Sequence, residues 1–199
     1  MMIYFPILFT LMSIFFLIIG VKVVLTKRPL FISSRYFFAF TVLGFSPQFV
    51  NTAVLLSKGV PTNLSIILLM SPIVFICLLI FFWLQMTGYI AIGISDDSFR
   101  EALHFSLKKN ELAFEEQLSA IKLTSINAHL QIAIQSWIGA GQLKLKKKND
   151  KSVLPQIISG MNDFYIENDI KPNNITSAFY TIMGIFMLIF AVLLFFSFR

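Results

Sequence analysis

One polar stretch constrains this chain more than any other feature: residues 88–171 hold all ten acidic residues of the sequence and are flanked on both sides by long apolar runs. A chain of 199 residues with 57% hydrophobic and 13% charged residues is too apolar for an ordinary soluble globule. The pattern therefore reads as an integral membrane protein with a small polar insert. The formal charge of +6 suggests an anionic partner until it is divided by region. Within the insert, ten basic residues balance the ten acidic ones. The excess comes from Lys22, Lys27, Arg28, Arg35, Lys58 and Arg199, which flank apolar runs and carry topology information. Cys77 is the single cysteine, which excludes an intrachain disulfide and a cysteine-rich metal site.

Four runs have the ~20-residue length that crosses ~30 Å of hydrocarbon, at about residues 3–24, 36–57, 64–86 and 177–198. The first has no positive charge before Lys22 and no small-residue cleavage site, so it reads as a retained helix rather than a signal peptide. The second and third are separated only by a short turn around Gly59 and Pro61, which makes them a hairpin. The first loop carries Lys22, Lys27, Arg28 and Arg35 against Lys58 alone in the second, so the positive-inside rule places the N-terminus outside and residues 88–171 in the cytoplasm of a plasma (inner) membrane.

Inside the insert, residues 89–94 alternate as a strand, with Ile90, Ile92 and Ile94 expected on the buried side. The run Ser98-Phe99-Arg100-Glu101 fits a capping box that opens an amphipathic helix ending at Lys108, Lys109 and Asn110. A short strand is expected over 113–118, while 121–126 is ambiguous. Residues 129–137 and 142–146 form a hairpin around Gly139-Ala140-Gly141. A second amphipathic helix begins near Ser152, with Pro155 in its first turn. The expected fold class is thus a four-helix membrane protein with a small α+β cytoplasmic domain of β-α-β-β-β-α order, both helices on one face of a mostly antiparallel sheet. The corresponding domains are 1–87 (spans one to three), 88–171 (the α+β unit) and 172–199 (span four). Alternating direction from element to element puts Lys144, Lys146, Lys147, Lys148 and Lys151 at the end of the domain far from the bilayer, beyond a Debye length of ~8–10 Å.

Three constellations bear on function. Ser46-Pro47, with Gln48, Asn51 and Thr52, and Ser71-Pro72 put kinks and polar side chains in the middle of spans two and three, either as a pore lining or as glue between helices. No Asp, Glu, Lys or Arg lies deep in any span, which favours a dry interface. The sheet face opposite the helices is expected to collect Tyr89, Ala91, Gly93, Gln131, Ala133, Gln135, Trp137 and Gln142. A face with aromatics and small residues but no acid suits packing against another subunit, or bases stacking beside lysines. Asp96 and Asp97 resemble the paired carboxylates of a two-metal site, but 119–142 supplies no further carboxylate, so they read as favourable charge at a helix N-terminus. His104 and His129 lack partners at zinc-ligand spacing, and no phosphate loop or nucleophile motif is present.

No catalytic residue, cofactor or metal is therefore expected. The functional expectation is a non-enzymatic scaffold or sensor in the bilayer, whose cytoplasmic domain forms homo-oligomers or binds a cytosolic protein. A channel or transporter component gated by that domain is the alternative, and a membrane-tethered nucleic-acid binder a further one.

Overall fold

The computed structural model describes residues 4–58, 62–117, 120–146 and 152–197. Helix α1 (Tyr4–Thr26) is followed by strand β1 (Leu30–Ser33), and helices α2 (Ser34–Ser57) and α3 (Thr62–Gln85) come next. Then follow β2 (Tyr89–Ile92), α4 (Asp96–Lys109), β3 (Phe114–Gln117), β4 (Ala120–Leu123), β5 (Ala128–Gln135), β6 (Ala140–Lys146), α5 (Val153–Glu167) and α6 (Asn174–Ser197). Among the described residues, α1, residues 34–55 of α2, and α6 are long and apolar enough to cross a membrane; α3 contributes a shorter apolar stretch, Pro72–Gln85.

The six strands form one antiparallel sheet in the order β1-β2-β6-β5-β4-β3. Two of them depart from expectation. The ambiguous 121–126 region supplies β4, and β1 comes from the loop between the first two long helices, where no strand was anticipated. Lys27 has a left-handed φ of 49°, which ends α1 at Thr26. The chain then enters the sheet edge, pairing Phe31 with Ala91 and Ile32 with Ile90. The first loop and the polar insert are thus hydrogen-bonded parts of one sheet and lie on the same side of any membrane the helices cross.

Helix α4 starts three residues before the expected position. Ser95 is its N-cap and exchanges hydrogen bonds with Ser98, so the reciprocal cap is Ser95/Ser98 rather than Ser98/Glu101. This places Asp96 and Asp97 in the first turn, where negative charge meets the positive end of the helix dipole. Asp96 also pairs with Arg100 at 3.2 Å.

Helices α4 and α5 cover one face of the sheet. Phe99, Leu103, Leu107, Leu130, Leu143 and Ile157 are fully buried in the core between them. The two helices cross where Gly160 leaves room for Ser106, whose hydroxyl donates to the Ile157 carbonyl at 2.6 Å. Tyr165 closes this core, and burial pushes its phenol up to about 12, offset in part by its contact with the Ser98 hydroxyl.

The opposite face is covered at its β1–β2 end by the long helices. Ile92 packs with Ile19, Val23 and Tyr180, and Leu30, Ile32 and Ile90 pack against that cluster. Ile92 is thus buried as expected and Ile90 partly so, but on the side of α1 and α6. Tyr89 and Ala91 point to the α4–α5 core.

Candidate functional site

The long helices reach the sheet at two places. The end of α1 and the start of α6 meet the Ile92 end of β2: Asn173 N–H donates to the Gly93 carbonyl, and Thr176 Oγ1 donates to the Ile138 carbonyl, at 2.9 and 2.6 Å. At the other end, Ser34 N–H at the start of α2 donates to the Gly88 carbonyl at 3.0 Å, just after α3. Lys144 Nζ donates to the Gln85 carbonyl and to Gln85 Oε1 at 3.0 and 3.1 Å. Strand β6 is therefore stretched between these two junctions, four residues apart from Ala140 to Lys144, or about 13 Å.

This corrects the expected position of the basic patch. Lys144 lies at the last carbonyl of α3, because the strands run between helix ends instead of leading away from them and back. Lys146 follows on the same sheet face, opposite His129. Lys147, Lys148 and Lys151 lie outside the described residues.

The expected interface residues separate into two groups. Leu130 is buried under α4 and α5 while Ile132 and Ile134 pack on that core, so Gln131, Ala133 and Gln135 lie on the opposite face, and cross-strand pairing puts Gln142 beside Ala133. Tyr89 and Ala91 do not share that face, and Gly93 sits beyond the strand against Pro172 and Val23. The phase of β2 misled because both of its faces are covered, so alternation of Ile with small residues does not say which side is open. Trp137 is not paired with Tyr89: it stands in the β5–β6 turn and is 74% exposed.

The open part of this face and the ends of α2 and α3 enclose a cleft of roughly 270 Å³. Its polar lining is Ser34, Gln135 and Gln142, and its apolar wall is Phe37, Met86 and Ile90. The Ser34 hydroxyl is buried and has no hydrogen-bond partner. Lys144 stands one row along the face from Gln142, and Arg35 holds its guanidinium 5.9 Å from the centroid of Trp83 in the last turn of α3. The lining contains no carboxylate.

The residues of the kinked hairpin behave differently from one another. Pro47 deprives the Leu43 carbonyl of its helical donor, and the Ser46 hydroxyl supplies a replacement at 2.5 Å. Ser46 also contacts Tyr4 of α1. Thr52 is buried and donates to the Gln48 carbonyl at 2.9 Å, while Asn51 is exposed and Gln48 lines a groove between α2 and α3 with Phe45, Met70 and Phe75. The side chain of Ser71 is outside the described residues, and Pro72 lies inside α3. Among the described residues, these side chains are not gathered around one internal channel.

Among the described residues no group of three or more His, Cys, Asp and Glu side chains comes together as a metal site. His104 stacks on Phe114 and lies 3.4 Å from Glu116. The cleft was not legible in the sequence, because Ser34, Phe37 and Met86 reach the sheet only through β1 pairing; the one available signal was the apolar run Leu30-Phe31-Ile32 after a basic loop.

Fold and site define the class: a membrane protein combining long apolar helices with a mixed helix-and-sheet unit. In comparisons with family models, curated proteins and solved structures, the chain matches none of them.

Proposed function

We propose that this chain is a four-span, non-enzymatic sensor or scaffold, with its N-terminus outside and its sheet on the cytoplasmic side. In this reading α3 is the remaining span, supported by its 24-residue length and by its running back toward the sheet from which α2 departs. The sheet unit is the binding module, and occupancy is passed to the α2–α3 hairpin. The observation that carries this reading is the shared construction of the cleft: one wall belongs to the sheet and the other to the first turn of α2 and the end of α3. Anything that enters must move or brace the hairpin relative to the α1–α6 pair.

Ser57, exposed at the far end of α2, is a reporter position outside the apolar run. Filling the cleft with Ala133→Trp should change the maleimide labelling rate of S57C, in a C77S background, about fivefold, the size expected of a hairpin equilibrium shifted by ~1 kcal/mol. An unchanged rate in a folded variant would remove the proposed coupling.

Homo-oligomerisation has separate support in Asn51, a polar side chain exposed within the apolar run of α2, six residues before the helix ends. A second copy is the partner that would take it out of lipid.

A further inference from the structure

We infer that the cleft holds the headgroup of an anionic phospholipid drawn from the leaflet on the domain's side. This deepens the proposed function by naming the ligand class of its site, and it rests on the membrane reading of the helices.

Four features point to an anion. Ser34 borders the cleft and is only 1% exposed, and its buried hydroxyl has a proton to donate and no acceptor in the protein. A buried polar group left this way costs about 1–3 kcal/mol, which a ligand oxygen would recover. Ser34 and Phe37 belong to the first turn of α2, so the positive end of that helix dipole faces the same space. The side-chain amides of Gln135 and Gln142 bring further donors. Lys144 adds a full positive charge beside Gln142, its ammonium held in place by Gln85. A phosphodiester offers several anionic acceptor oxygens to donors of these kinds.

The apolar wall decides between a lipid and a soluble phosphate. Phe37, Met86 and Ile90 would meet the glycerol and ester region, and the adjoining α3 surface offers the exposed side chains Trp83 and Leu84 to an acyl chain. A small hydrated anion makes no use of these groups. The site also lies where α2 leaves the sheet and α3 returns to it, which in the four-span reading is headgroup depth.

The test uses the full chain in detergent, in a W137F background so that Trp83 is the remaining tryptophan. Short-chain phosphatidylglycerol, short-chain phosphatidylcholine and inorganic phosphate are titrated separately against Trp83 fluorescence. Saturable binding of phosphatidylglycerol about tenfold tighter than phosphatidylcholine is expected, because both offer a phosphodiester but the choline cation offsets the attraction of Lys144. K144Q should weaken phosphatidylglycerol about tenfold and leave phosphatidylcholine nearly unchanged, whereas S34A should weaken both lipids alike, about tenfold, since the hydroxyl meets the phosphodiester they share. S34A removes the unsatisfied group and so is expected to fold; Q142E, which keeps the side chain's size and adds a negative charge, should abolish the preference independently. Equal binding of the two lipids, or a preference that survives both K144Q and Q142E, overturns the inference. So does inorganic phosphate binding as tightly as phosphatidylglycerol, since the ligand is then a soluble anion. Release of the chain from membranes by alkaline carbonate would instead sink the membrane reading, whereas a retained chain with no lipid preference sinks the lipid site alone.

Discussion

Gly88→Ala should be among the most damaging single-methyl additions in this protein. Gly88 joins the end of α3 to β2 with φ at +130°, a region that residues with a Cβ avoid. A Cβ there would overlap the carbonyl oxygen of Leu143 and sit 3.2 Å from the Cα of Lys144. Both obstacles are backbone in the adjacent strand, so neither can rotate away. Forcing the backbone conformation costs about 1–3 kcal/mol and relieving the overlap about as much again. The Gly88 carbonyl is also the acceptor for Ser34 N–H, so any relief that turns the peptide releases the start of α2. Against a total stability of ~5–15 kcal/mol this is a large fraction, and a melting temperature lower by roughly 8–16 °C is expected by thermal unfolding of the purified chain. A shift below ~2 °C would mean that the junction between α3 and β2 is not built as described.

The second large effect is expected at Gly20, in the contact between α1 and α6. A Cβ at Gly20 would overlap Thr181 Oγ1 and lie 3.0 Å from Thr181 N and 3.1 Å from the Ser177 carbonyl. One helix turn pair away, Gly184 leaves space for Leu17, and the Ser13 hydroxyl donates to the Gly184 carbonyl at 2.7 Å. Small residues thus let two helices approach until side chain meets backbone, the packing that holds helices together where lipid removes the hydrophobic drive. Gly20→Leu must part the helices and so loses the Ser13 bond as well. A cost of about 2–4 kcal/mol is expected, from overpacking plus the lost interhelical bond, with Gly20→Ala giving a smaller loss of the same sign. Thermal unfolding in nanodiscs would measure it; equal stability of Gly20→Leu and the parent would show that α1 and α6 are not in contact there.

That contact was not readable from the sequence. Helices α1 and α6 are apolar all round, so periodicity names no facing side, and they are far apart in the chain. The elements of the insert were legible for the opposite reason. Its strands and helices carry one-sided patterns, and the α4–α5 core built from Phe99, Leu103, Leu130 and Leu143 follows them directly. The pattern failed where a second covering layer enters. In β2 the isoleucines face the long helices while Ala91 faces α4 and α5, so alternation gave the right period and the wrong open side. Strand β1 escaped because four residues in a basic loop carry too little periodicity to separate a strand from a connection. The position of Lys144 followed from that omission: without β1, nothing indicated that the sheet is anchored at two helix ends, with β6 running between them.

The measurement that tests this account most directly is disulfide formation between β1 and β2 in membranes. The pair I32C/I90C, in a C77S background, places two thiols on directly opposed residues of the antiparallel pair. Such Cα atoms are about 4.5–5.5 Å apart, within the range a disulfide spans. Mild oxidation is expected to link them rapidly and nearly completely, while I32C with A133C, two strands further across the same face, stays reduced. Failure of I32C/I90C to link in folded protein, or equal linking of both pairs, would contradict a sheet that continues from the polar insert into the first loop, and with it the shared cleft on which the functional proposal stands.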